Sequence, residues 1–187
     1  MPYLWEIPDE LPINQIGIYD REIGPDRFIF SQGREIGPDL GVTPVVRFPC
    51  DKFELSKLDC LWTDGRVPLV SQRLRTLLED LVPRKVEFFD IRIFAEDEEI
   101  SGYYILNATR MINVIDVDKS EYRTVPGSDR IMAYEKIQIR SDFSDGIEFG
   151  RESSYFPYLF AGRELADAIL NAGFGGMDFS EPEQVCH

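Results

Sequence analysis

The chain has one histidine in 187 residues, and it is the last, His187. Histidine is the commonest general base, and chain ends usually fray. Ser-His-Asp and Cys-His arrangements are therefore excluded unless the tail folds back. Cysteine is also scarce: Cys50, Cys60 and Cys186 form an odd set without a CxxC pair. Neither a disulfide framework nor a zinc knuckle is indicated, and a reducing cytoplasm suits the chain best. No GxSxG, HExxH, Walker A or GxGxxG pattern is present. No stretch approaches the roughly 18 apolar residues of a membrane span. The opening Met-Pro-Tyr-Leu-Trp-Glu lacks the charged start and apolar run of a signal peptide. Cations are outnumbered, 20 Lys and Arg against 34 Asp and Glu, for a formal net charge of −14. Such a surface repels nucleic-acid phosphates, which require a basic footprint.

What is present suits a folded domain. Apolar residues make up 43% and charged residues 29%, ordinary globular usage that argues against disorder. The length fits a single domain spanning 1–187 with a core that needs no staples. Acidity keeps a protein soluble, and it also attracts basic proteins and speeds their encounter.

Residues 1–68 are punctuated by proline and glycine. Arg21-Glu22-Ile23-Gly24-Pro25-Asp26 recurs thirteen residues later as Arg34-Glu35-Ile36-Gly37-Pro38-Asp39, which predicts two similar turns flanking a strand near Phe28. From Val70 the rhythm changes. Val70, Leu74, Leu77, Leu78, Leu81 and Val82 mark one helix face, with Ser71 as N-cap and Pro83 as stop. Strands follow over 86–94, 100–108, 111–117 and 131–140, consistent with an antiparallel meander. The fold class is α+β: an antiparallel or mixed sheet over 86–140, with amphipathic helices near 71–82 and 163–171 packed on it.

The C-terminal part reads as an αβ pseudo-repeat. A gap-free shift of 91 positions sets Leu74 on Leu165, Leu78 on Ile169, and Val86-Glu87-Phe88 on Met177-Asp178-Phe179. Duplication and convergence on a stable αβ unit both account for this. Gly173-Phe174-Gly175-Gly176 follows the helix instead of preceding it, so it reads as a cap and turn, not a phosphate cradle.

Carboxylates are the remaining chemical candidates. Asp116 and Asp118, two apart in an expected strand, would share a face about 7 Å apart. With Glu121 they could hold a hard cation or act as an acid/base pair; a strand end turning polar explains them more simply. Glu96-Asp97-Glu98-Glu99 is the densest charge run, either a solvated hairpin tip or a partner contact. Tyr103-Tyr104, Tyr155-Phe156 and Tyr158 would line an interface only in part, since adjacent strand residues face opposite ways. Most are expected in the core.

Several segments resemble a bacterial family first described as a domain of unknown function and now grouped as immunity proteins of polymorphic-toxin systems. Leu69-Val70-Ser71-Gln72-Arg73-Leu74-Arg75 and Val86-Glu87-Phe88-Phe89 carry the likeness first. Gly102-Tyr103-Tyr104-Ile105-Leu106-Asn107, Ile115-Asp116 and Ser120-Glu121-Tyr122 resemble the family's central segment. Tyr158-Leu159-Phe160 and Gly176-Met177-Asp178-Phe179 are similar to its closing one. The likeness covers 69–182 as a core, leaving 1–68 as a variable part; Gln138, Arg140 and Asp142 depart from the family's apolar tendency. The resemblance implies a non-enzymatic cytoplasmic protein that binds and neutralises a cognate protein toxin, with no cofactor and no metal. A basic toxin would suit the acidic surface, with Glu96, Asp97, Glu98 and Glu99 as the candidate contact. Two other classes remain open: a carboxylate or metal-dependent enzyme using Asp116 and Asp118, and a self-associating scaffold module. The sequence carries no signal for oligomeric state.

Overall fold

The structure, a computed structural model, describes residues 1–143 and 149–182. Cys186 and His187 lie outside the described residues. In chain order the elements are β1 (Tyr3–Glu6), β2 (Ile16–Tyr19), β3 (Val45–Phe48), α1 (Lys52–Leu55), β4 (Cys60–Thr63), β5 (Pro68–Ser71) and α2 (Gln72–Leu81). They continue with β6 (Val86–Asp90), β7 (Arg92–Ala95), β8 (Glu98–Ile100), β9 (Tyr103–Ala108), β10 (Met111–Ile112), β11 (Glu121–Thr124) and β12 (Ile131–Lys136). β13 (Phe149–Glu152), β14 (Leu159–Ala161), α3 (Arg163–Asn171) and β15 (Asp178–Ser180) complete the series. The mixed α+β class holds, with sheet predominating.

Local chemistry explains the helix ends. The Ser71 hydroxyl accepts from the Leu74 N–H at 3.2 Å and starts α2 where a 3.6-residue apolar rhythm begins. Asp51 caps α1 by accepting from Phe53 N–H and Glu54 N–H at 2.8 and 3.1 Å. Gly173 closes α3 in the left-handed region, φ +70°, its N–H donating to the Leu170 carbonyl at 3.0 Å.

The larger sheet runs β6-β9-β5-β4-β2-β3-β7-β8. Its closure follows from chain reach. β6 and β7 stand six strand spacings apart in that order, roughly 29 Å if the sheet were flat. Only Ile91 separates them, and two residues of chain reach about 7 Å. The sheet must therefore curl into a half-barrel, with 86–95 as one strand bent at Ile91. Its first half pairs with β9 and its second with β3. The concave side holds Tyr19, Phe30, Phe48, Leu61, Leu69, Phe89, Ile93 and Ile105, all buried. Gly17 is required there, because a Cβ would lie 2.5 Å from Val46 Cγ1 and 2.6 Å from the Phe48 ring.

The second sheet runs β10-β13-β14-β1-β15. Trp5, Phe149, Leu159 and Ala161 from this sheet meet Trp62, Val70 and Leu106 from the first, and both long helices pack into the same core. Leu74, Leu78, Leu165 and Ile169 are each 0% exposed, as their spacing predicts.

Several expectations change. The strands over 86–140 do not form a meander, because β5, β4, β2 and β3 lie between β9 and β7. β4 is buried along its whole length, so its residues show no alternation to read. Within 111–117 only Met111–Ile112 is strand, paired in parallel with β13, and Ile115 makes a single bridge to Ile139. β12 pairs with β11 in a separate hairpin. Phe28 lies in a 3-10 turn, Arg27–Ser31, instead of a strand. The two flanking turns are nevertheless alike, with Gly24 at φ +97° and Gly37 at φ +91°.

The two segments matched by the shift of 91 have comparable strand pairings. β5-α2-β6 and β14-α3-β15 are both strand–helix–strand units whose strands flank a third, antiparallel strand. In the first unit the row is Leu69–Ile105–Phe89, across β5, β9 and β6. In the second it is Phe160–Leu4–Ser180, across β14, β1 and β15. The gap-free shift of 91 therefore carries one register onto the other. The central strand follows the first unit in the chain but precedes the second, and duplication and convergence predict the same register.

Candidate partner-binding face

The run Glu96-Asp97-Glu98-Glu99 forms the tip of the β7–β8 hairpin, as its charge density suggests. Ala95 pairs with Glu98, which leaves a two-residue turn with Glu96 at φ +52°. The Glu96 N–H donates to the Phe48 carbonyl at 2.9 Å and ties the turn to β3. All four acidic residues are exposed.

They are not equally free to meet a partner. Arg92 donates to both Glu99 carboxylate oxygens, at 2.8 and 3.2 Å. That pairing holds the Glu99 carboxyl below its ordinary range. Lys52 pairs with Glu98. Glu96 and Asp97 make no ion pair among the described residues, so the unneutralised charge sits at the turn itself. The guanidinium groups of Arg47 and Arg92 lie 4.7 and 5.1 Å from the Phe94 ring centroid and fix the hairpin's base.

α1 stands beside the hairpin and enlarges the face. Asp51 and Glu54 are close enough, with Glu96, to add to the effect of burial in pushing the Cys50 thiol up. Phe53 is 67% exposed and lines a groove of about 300 Å³ with Lys52, Ser56, Ile100, Ser101 and Tyr103. The Tyr103 hydroxyl donates to the Leu55 and Leu58 carbonyls at 3.0 and 2.8 Å, which holds the end of α1 against β9. An apolar groove beside an acidic hairpin tip suits a basic partner carrying an apolar anchor. Sequence reading missed Phe53. Its signal is an aromatic between acids, in a helix of only four residues too short for a periodic face.

The other carboxylate candidates are arranged differently from the expectation. Asp116 and Asp118 do not share a strand face: Asp116 precedes the 3-10 turn Val117–Lys119, and Asp118 lies within it. The Lys119 ammonium donates to Asp116 at 2.6 Å and lowers its carboxyl below the usual range. Among the described residues no group of three or more His, Cys, Asp and Glu is gathered as metal ligands. Tyr158 is buried and Tyr103 and Tyr155 are half-buried, whereas Phe156 is 44% exposed. No helix among the described residues is long and apolar enough to cross a membrane, which says nothing of a β-barrel.

Comparison with known proteins adds one finding. No curated protein matches the chain. A family model does match, over residues 7–184, so the likeness extends through most of the proline- and glycine-rich first third. Those residues supply β2, β3 and β4 to the larger sheet. With all but the extreme ends of the chain matched, the protein belongs to the immunity protein family Imm11.

Proposed function

We propose that this protein protects a bacterial cell by binding a cognate protein toxin in the cytoplasm, stoichiometrically and without catalysis. Membership of an immunity family carries the reading. The net charge of −14 supports a basic toxin, since complementary fields raise the association rate and discriminate against other partners. The hairpin tip, Glu96 to Glu99, together with the Phe53 groove, is the proposed contact.

The test is co-expression with the toxin domain encoded beside this chain, scored by survival and by a complex on a sizing column. Rescue with a one-to-one complex supports the reading. Rescue by trace protein without a complex would favour an enzymatic antidote instead. Charge reversal at Glu96 and Asp97 should slow association and flatten its dependence on salt. Reversal at Glu98 or Glu99 should do less, because Lys52 and Arg92 already neutralise them.

A further inference from the structure

The two strand–helix–strand units differ in what lies along their outer edge. In the first unit the chain's own residues 34–37 lie against the concave face beside the edge. The Glu87 carboxylate on β6 accepts from two consecutive backbone N–H groups, Ile36 at 2.9 Å and Gly37 at 3.1 Å. Its cross-strand neighbour on β9 is Asn107, whose amide donates to Glu87 at 3.0 Å and to the Arg34 carbonyl at 2.9 Å. Residues 38–43 and 88–90 then line the two sides of an open cleft of about 340 Å³.

The shift of 91 takes Glu87 to Asp178 on β15, and the cross-strand neighbour becomes Glu6 on β1. β15 is an edge strand of its sheet. Beside β15 there is an open cleft of about 580 Å³ with no counterpart of residues 36 and 37 bonded to Asp178, lined by Glu6, Ile7, Asp9, Leu170, Asp178 and Phe179 among others, and by no Lys or Arg. Leu170 is 53% exposed on its wall. The Asp178 side chain makes no hydrogen bond or ion pair among the described residues. Partial burial first, then the charges of Asp9 and Glu10, hold its carboxyl above the usual range. An acid that takes two backbone N–H groups and an amide in one unit thus has no such donor in the other, while its neighbour Glu6 accepts from the Ser180 hydroxyl. Like charges directly opposite on paired strands repel.

We propose that the outer edge of β15 is a docking edge for an extended, basic segment of the toxin, whose backbone meets Asp178 as that of Ile36 and Gly37 meets Glu87. Backbone N–H groups of that segment meet Asp178, its Lys or Arg side chains meet Glu6 and Asp9, and an apolar side chain covers Leu170. This rests on the immunity reading and assigns it a second contact, on a different sheet from the hairpin. Charge disfavours the other occupants, since a second copy brings its own excess of acid.

The experiment uses the full chain and the toxin domain encoded beside it, with affinity measured by titration calorimetry. Asp178→Lys and the double variant Asp9→Lys/Asp178→Lys should weaken binding by at least about 10-fold. Asp129→Lys, the same charge change at an exposed turn elsewhere, should change it less than about 2-fold. Asp178→Lys should melt no lower than wild type, because it relieves repulsion. On wild type, amide exchange at residues 178–180 should slow on complex formation, a readout independent of any variant's folding. Wild-type binding with unchanged affinity in both Lys variants and no added protection at β15 would overturn the docking edge and leave the immunity reading standing. No wild-type complex would overturn both. A dimer on the sizing column that Asp178→Lys dissolves would assign the edge to a second copy and overturn the toxin segment.

Discussion

Replacing Leu74 with alanine tests the core and the equivalence of the two units together. Leu74 on α2 and Leu165 on α3 are both 0% exposed, and both belong to the cluster that joins the two sheets. Truncation removes three carbons and leaves a cavity in a site that solvent cannot refill. Such changes cost about 2.7–5 kcal/mol, the spread reflecting how far the surroundings collapse. Strands flank these helices in both units, so little collapse is available, and a cost of about 3–5 kcal/mol is expected for each. For a chain of this size, about 2–4 °C of melting temperature is lost per kcal/mol, which gives a fall of roughly 6–20 °C. Urea denaturation should show midpoints displaced with the slope unchanged. Because the two leucines occupy matching positions, their costs should agree within about 1 kcal/mol. A loss below about 1 kcal/mol at either position would refute the packing described here.

Two further outcomes follow from other sites. Gly17→Ala should destabilise by about 1–3 kcal/mol, measured by urea denaturation, because its methyl would overlap Val46 and Phe48 inside the half-barrel; Val46→Ala should recover part of the loss in the double variant. Asp64 supplies a pH dependence. Partial burial raises its carboxyl, but hydrogen bonds from Arg27 and the Tyr19 N–H, with the charges of Arg27 and Arg21, outweigh burial and hold it below the usual range. A depressed folded value means stability that is complete above the ordinary Asp range and lost as pH falls through the folded value. Asp64→Asn should therefore lower stability at neutral pH and flatten the acid limb, and an unchanged acid limb would discount the pair.

The helices were legible because a helix folds on local terms. A ten-residue run with apolar side chains every three or four positions, a capping serine and a proline stop can bury only one face. The acidic hairpin tip was legible for a similar reason, since charge run and tight turn are adjacent in the chain. Sequence alone also exposed the shift of 91, because matched positions need no knowledge of pairing. Strand partners were another matter. β4 is buried throughout and shows no alternation, and strands of four residues carry too short a pattern to reveal their neighbours. Pairing is a long-range choice: Leu4 meets Phe160 and Ser180 across nearly the whole chain. The bend at Ile91 follows from that choice, because only the order of strands in the sheet forces a continuous apolar run to close a half-barrel. The β15 cleft needs the fold for the same reason. Glu6, Asp9 and Asp178 are brought together by an antiparallel pairing between the two ends of the chain, and repulsion between charges acts through distance in space, which only tertiary structure decides.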